Sequence, residues 1–506
     1  MTRPGLRARI RELTELVDEV APPGWTSSPV WWGLVGAVAL VEPYGRPGAY
    51  LVSDAEPRAD TFMGVPGPAP DDAAGRIGWA IAAAHAAVRA VLARDGSLPE
   101  QPLTVGIALH RGAARTVPIA SPWRVAFAIG GGVVTALLDP RGPAHEAALA
   151  RTLAAALRDP TPTTSTAPVR DGDATPMLTV TVGDDDLARA HHGHRRGWHG
   201  RAGGPWLGVA RAGGLTVVST CHMIVDGWGH AQLTTDLVRG IDRAAARTLA
   251  AAAAAVVGTS HMPPARSSTW RPSPRGDGVT SDNVGEPLGV AWRRLPAPMP
   301  PALRQAWTLG RLLHRDRGQP GAARSPTFQI PVAPGAADDP TRFARRVRPA
   351  ILSVRFPDGR PEPEAAFAAR ARTVIAREAQ GHGLSSHLLT ALTALPAPLG
   401  WKRGVVGARA RWLADAIDVI AGTGCLSYMR VAGAPPLVAV SSPAQLLPAG
   451  DRAATSVLTV IADGDGATAT LAGSGRATSP AEAEAFLDAW CTELDAAGTA
   501  AKPMLG

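Results

Sequence analysis

A chain of 506 residues is too long for one ordinary domain, so two or three packed units are expected, each able to bury its own core. Its 45% hydrophobic and 19% charged residues exclude a largely disordered chain, and its 55 glycines and 47 prolines follow no collagen-like period. The net charge of +8 is almost all arginine, since Lys402 and Lys502 are the only lysines. Spread so thinly and without a basic run interleaved with aromatics, it argues against nucleic-acid binding and for a mild attraction to phosphates, coenzyme A or lipid headgroups.

The N-terminus, MTRPGLRARIRELTELVDEV, reads as a charged amphipathic helix over 6–19. It lacks the apolar stretch of a secretory signal, so a cytoplasmic location is expected. VWWGLVGAVALV, residues 30–41, falls short of the roughly 20 residues a bilayer span needs. It reads as a buried strand, joined through EPYGRPG to AYLV in a hairpin over 31–53. An alanine-rich helix follows at 73–94, then strands around LTVGIALH and RVAFAIGGGVVTALLD, and a second alanine-rich helix at 144–157. IGGGVV lacks the phosphate-loop pattern, so no nucleotide site is read there.

PTPTTSTAP, residues 160–168, is a loop by composition. MLTVTVG is a strand, and WLGVARAGGLTVVSTCHMIVDG supplies two more, joined at AGG as a hairpin. Behind them Leu233, Leu237, Ile241, Ala245 and Leu249 recur at four-residue steps and predict one apolar face of a long helix.

Residues 258–345 turn proline- and arginine-rich, with one basic amphipathic helix, LRQAWTLGRLLHR, whose bland role is packing and whose alternative is a membrane or acyl chain. The second half reads ILSVRF as a strand, PEAAFAARARTVIAREA and GLSSHLLTALTAL as helices, and TGCLSYMRV, SVLTVIADGD and ATATLAGSGR as strands. A last helix starts at Ser479, with Glu482 at capping-box spacing. The expected organisation is α/β: an N-terminal lobe over 1–257, a crossover over 258–345, and a C-terminal lobe over 346–506.

Cys221, Cys425 and Cys491 are too few and too scattered for a disulfide framework or a zinc site, which fits a reducing compartment. His191, His192, His194 and His199 in HHGHRRGWHG lack regular metal-ligand spacing and read as a solvated loop; DDD at 184–186 reads as surface charge.

The stretch that carries chemistry is CHMIVDG, residues 221–227. A histidine on an apolar strand reads, by itself, as a core residue bonded to backbone. Neutral imidazole is also a natural general base, with an ordinary pKa of about 6.5. What distinguishes His222 is Asp226 and Gly227 four and five places on, an Asp-Gly turn that hands the strand to an amphipathic helix.

CHMIVDGWGHAQLTTDL resembles the active-site segment of the chloramphenicol acetyltransferase-like acyltransferases, whose signature is HHxxxDG. That superfamily includes dihydrolipoyl acyltransferases, condensation domains of peptide synthetases, BAHD-type plant acyltransferases and wax ester synthase/diacylglycerol acyltransferases. The resemblance implies two similar lobes joined by a crossover, and acyl transfer from a coenzyme A or carrier-protein thioester to a hydroxyl or amine acceptor. It implies no metal or redox cofactor. By the same resemblance His222 is the general base, and Asp226 and Gly227 are structural, the aspartate held by an arginine.

GTGCLSYMRV resembles the polar strand that borders the catalytic channel in wax ester synthase-like and condensation-like proteins, which makes Ser427 or Thr423 the candidate oxyanion donor. Trp228 would line the channel or simply pack. The signature's first histidine is Cys221 here, either an inert strand residue or a second nucleophile. Expected partners are a small-molecule or lipid acceptor and an acyl carrier protein, with peripheral membrane contact. The rival expectations are a non-catalytic scaffold of the same fold and a peripheral lipid-binding protein.

Overall fold

The computed structural model describes residues 5–20, 29–45, 60–68, 70–94, 121–129, 132–138, 143–158, 176–185, 187, 190, 206–221, 225, 227–257, 268–272, 290–316, 327–332, 348–394, 424–441, 456–472 and 480–500. LTVGIALH, AYLV, PTPTTSTAP, the histidine-rich 191–200 and the Ser479 cap lie outside them.

Helices α1 (Leu6–Val20) and α2 (Pro29–Val41) precede β1 (Asp60–Pro66), α3 (Ala73–Arg94), β2 (Ser121–Ile129), β3 (Gly132–Leu137) and α4 (Pro143–Arg158). Next come β4 (Pro176–Asp185), β5 (Leu207–Ala212), β6 (Leu215–Cys221), α5 (Gly227–Val257), β7 (Ser268–Pro272) and β8 (Val290–Pro296). They are followed by α6 (Ala302–Asp316), β9 (Thr327–Val332), β10 (Arg348–Ser353), α7 (Glu364–Ala379) and α8 (Leu384–Ala394). The chain finishes with β11 (Gly424–Arg430), β12 (Val438–Ser441), β13 (Ser456–Ala462), β14 (Gly466–Ala472) and α9 (Pro480–Ala500).

The strands form two mixed sheets, β12-β1-β6-β5-β4-β2-β3-β7 and β10-β9-β11-β13-β14-β8, each flanked by helices. Helices α3, α4 and α5 cover the first sheet. Val180, Leu207, Val209 and Val218 from its strands share one core with Ile77, Ile81 and Val88 of α3, Leu149 and Leu153 of α4, and Leu233 and Leu237 of α5. Helices α3 and α5 lie close because a Cβ on Gly78 would come within 2.9 Å of Leu249 Cα, and one on Gly240 within 2.8 Å of Ala86 Cβ. In the second lobe Leu426, Leu458 and Leu471 stand side by side across β11, β13 and β14. They share a core with Leu309, Phe367, Leu487 and Trp490 of the covering helices.

The sheets do not follow the sequence boundaries. Within 258–345, β7 pairs with β3 at one edge of the first sheet, while β8 and β9 belong to the second. Beyond residue 346, β12 pairs antiparallel with β1 and so belongs to the first sheet. Helices α1 and α2 place Leu13, Leu16, Val35 and Val38 in the second lobe's core. Each sheet thus draws strands from more than one stretch of the chain, and residues 258–345 supply strands to both.

Residues 30–41 are helix, where a strand was expected. An unbroken apolar run has no period to separate the two states, and its length fits three helical turns with Pro29 at the start. As a helix the segment satisfies its backbone internally and needs no neighbouring strands. It buries Val35, Val38 and Ala39, and Arg9 Nε donates to the Ala39 carbonyl at 2.9 Å, tying α1 to α2.

The apolar face of α5 also departs from the four-residue reading. Leu233, Leu237 and Ile241 are buried, but Ala245 is exposed and Leu249 is 45% exposed. Steps of four residues overrun the turn by about 40° each, because a turn takes 3.6 residues. After Ile241 the buried line shortens its stride and continues through Ala244, Thr248, Ala252 and Ala255.

The β13–β14 turn is clamped to β8 by Arg294, which donates through both terminal nitrogens to the Asp463 carboxylate; the bond to Oδ1 is 2.8 Å. This pairing holds the Asp463 carboxyl below its ordinary 3.8. A depressed folded-state pKa contributes stability that is complete above 3.8 and is lost as pH falls through the lower folded value. Asp463→Asn is thus expected to lower the urea midpoint at neutral pH, and the gap from wild type to close below pH 3.8. A gap independent of pH would dissociate the clamp from the carboxylate charge.

Candidate active site

The strand that leads to the motif is fixed first by its turn. Gly213 and Gly214 join β5 to β6 with φ of +55° and +75°, backbone that favours glycine. The resulting strand β6 lies inside the first sheet between β1 and β5, and its described side chains from Leu215 to Thr220 are buried. It ends at Cys221, which pairs with Asp60, and α5 begins at Gly227. The motif therefore bridges a strand end and a helix start. His222 and Asp226, with the arginine expected to hold that aspartate, lie outside the described residues, as does Thr423. Val225, inside the motif, is fully buried in the first lobe's core.

Behind this junction His230 is fully buried on α5. Its Nδ1 is 3.2 Å from both Thr61 Oγ1 and Thr220 Oγ1, which are 3.1 Å from each other, and its Nε2 is 2.9 Å from the Val218 carbonyl oxygen. Thr61 and Thr220 are a cross-strand pair of β1 and β6. Sequence reasoning did not single out His230. The available signal was its place in the series 230, 233, 237, 241, which marks the buried face of α5.

The second lobe meets the first at the start of α5. A Cβ on Gly227 would lie 3.1 Å from Met429 Sδ, so glycine permits β11 to approach closely. Trp228 Nε1 donates to the Arg430 carbonyl at 3.3 Å, and Arg239 donates to the Gly433 carbonyl. Met63, Ala231, Val431 and Ile461 complete an apolar cluster at this seam, with Trp228 and Met429 packed against it. Trp228 thus packs and links the lobes.

Ser427 is half-buried on the same face of β11 as Met429, about 7 Å back along the strand. Across the sheet it stands beside Thr459, whose hydroxyl is buried with no hydrogen-bond partner among the described residues. The row continues through Thr470, which accepts from the Ala439 amide at 3.3 Å. Sequence reasoning missed Thr459, because its strand reads as an ordinary apolar run.

The chain is similar to condensation domains. Solved structures that resemble it include the first condensation domain of the CDA synthetase, at TM-score 0.41 and 13% identity, covering 88% of this chain and 95% of that one. The starter condensation domain of rhizomide synthetase RzmA gives TM-score 0.38 and 10% identity over 89% and 96% of the two chains. The condensation domain of the Monacolin K polyketide synthase MokA gives 0.36 and 13% over 88% and 94%. No protein-family profile matches the chain. No curated protein matches it.

Two of the three cysteines can be judged chemically. Burial pushes the Cys425 thiol up to about 12 and the Cys491 thiol up to about 11, so both are thiols at neutral pH and poor nucleophiles. Among the described residues no cluster of three or more His, Cys, Asp or Glu is arranged to hold a metal.

Proposed function

We propose that the protein is an acyltransferase that moves an acyl group from a coenzyme A or carrier-protein thioester to a hydroxyl or amine acceptor, with His222 as general base. The observation that supports this reading is the frame on either side of the HxxxDG stretch: β6 ends at Cys221, α5 begins at Gly227, and Met429 of β11 packs on Gly227.

The acceptor's O–H or N–H attacks the thioester carbonyl as His222 takes the proton. The tetrahedral intermediate then collapses, the C–S bond breaks, and the imidazolium returns the proton to the departing thiolate. An oxyanion donor in such reactions contributes on the order of 3 kcal/mol. Ser427 is assigned that role, with Thr423 as the second candidate. Gly227 serves by leaving room for β11, and Asp226 by holding the turn. Cys221 stands where the signature has its first histidine and takes no part in the transfer. The chemistry requires no metal or redox cofactor, and its partners are an acyl carrier protein or coenzyme A as donor and a small or lipid acceptor.

The replacement of the first histidine by Cys221 favours one second reading, a non-catalytic condensation-like scaffold. Purified protein incubated with a panel of acyl-coenzyme A and acyl-carrier donors and of alcohols and amines separates the two. Acyl transfer predicts acceptor-dependent release of free thiol with one acylated product per thiol. Binding of donors without any thiol release across the panel supports the scaffold.

A further inference from the structure

The buried polar group behind the motif has an arrangement that the acyl-transfer reading does not use. A backbone carbonyl only accepts, so Nε2 of His230, 2.9 Å from the Val218 oxygen, carries the ring proton. In the neutral imidazole Nδ1 is then an acceptor, and the two threonine hydroxyls at 3.2 Å supply its donor. With Thr61 and Thr220 3.1 Å apart, one hydroxyl donates to the ring and the other to its neighbour's oxygen. One side chain of α5 therefore engages β6 at Val218 and Thr220 and β1 at Thr61.

These contacts lie on both sides of the motif. Thr220 is two residues before His222, and His230 is four residues after Asp226. Such a network, inside a packed sheet–helix core, fixes the separation of strand end and helix start more rigidly than apolar contacts alone. Val225, between Thr220 and His230 in the sequence, is itself fully buried in the first lobe's core.

We propose that His230 is a positioning residue, which by locking the end of β6 to the first turns of α5 sets the placement of the His222 imidazole. The proposal rests on the acyl-transfer reading for its kinetic consequence and on the observed network for its structural one. Substituting His230 removes no group that touches substrate, so the orientation of the base should suffer while binding of donor and acceptor does not.

The test compares wild type with His230→Leu, His230→Asn and Thr61→Val, using thiol release and the ring nitrogen signals of 15N-histidine-labelled protein. His230→Leu is expected to lower kcat by 10- to 100-fold with KM unchanged. His230→Asn, whose amide reaches the Nδ1 partners, should recover part of that loss. Thr61→Val, which keeps side-chain volume, should lower kcat several-fold and carries the test if His230→Leu does not fold. In each variant the His222 signals, assigned by their loss in His222→Ala, should shift.

Folded variants with wild-type kcat and unmoved His222 signals would overturn the proposal. So would a fall in kcat matched by a rise in KM, or an asparagine variant no better than leucine. If wild type shows no turnover but the His222 signals move, the acyl-transfer reading fails and the positioning role stands.

Discussion

His222→Ala is expected to lower acceptor-dependent thiol release by about 10²- to 10⁴-fold, the contribution of a positioned general base. The melting temperature should stay within a few degrees of wild type. This pairing of effects separates the two readings that a histidine on an apolar strand allows. A histidine kept only to satisfy buried backbone would, on truncation, leave polar groups unpaired at about 1–3 kcal/mol. That role predicts a large loss of stability and no selective loss of turnover. A catalytic base predicts the reverse, because its energy is spent on the transition state and not on the fold. Cys221→Ser should leave turnover within a factor of about two if the cysteine is inert, and calorimetry with thiol assay on the three proteins decides all of these outcomes.

The second large effect falls on the lobe that supplies β11. Trp490→Ala is expected to cost about 3–5 kcal/mol, the range for deleting a buried aromatic and leaving a cavity. Trp490 is fully buried on α9, and its Nε1 donates to the Gln305 carbonyl of α6 at 3.3 Å. It thus couples two helices to the row Leu426, Leu458 and Leu471 beneath them. Total stabilities are about 5–15 kcal/mol, so this single change removes a large share. Urea unfolding should show a lower midpoint with an unchanged slope, while Trp490→Phe, which retains most of the ring contact, loses less. A shift below about 1 kcal/mol for the alanine variant would mean that α9 contributes little to the second core.

Why some of this was legible and some not follows from the residues. Periodic segments declared themselves: α3 and α4 begin and end within a residue or so of the expected helices, and the Gly213–Gly214 hairpin stands where AGG required a turn. Segment 30–41 has no period, so its pattern could not separate helix from strand, and its length with Pro29 at the start is what fits the helix. Strand β12 follows a Pro-Pro pair and spans just Val438–Ser441, too short to register as a pattern. Its pairing with β1 is set by distant chain, as is the docking of α1 and α2 on the second lobe, and no local pattern announces either.

In the site, the frame was legible, since Cys221 ends a strand and Gly227 opens a helix. Invisible in the sequence were the residues that meet across distance. These are Met429 against Gly227, Arg430 accepting from Trp228, and the Thr61–Thr220–His230 group.

The central claim is that acyl transfer takes place at the β6–α5 junction where the lobes meet. An acyl-coenzyme A carrying a photoreactive diazirine next to its carbonyl, irradiated with the intact protein and followed by peptide mass spectrometry, tests that location directly. The account predicts crosslinks within residues 221–228 and within β11, Gly424–Arg430, that unlabelled donor competes away. Competable crosslinks confined to other parts of the chain would contradict it.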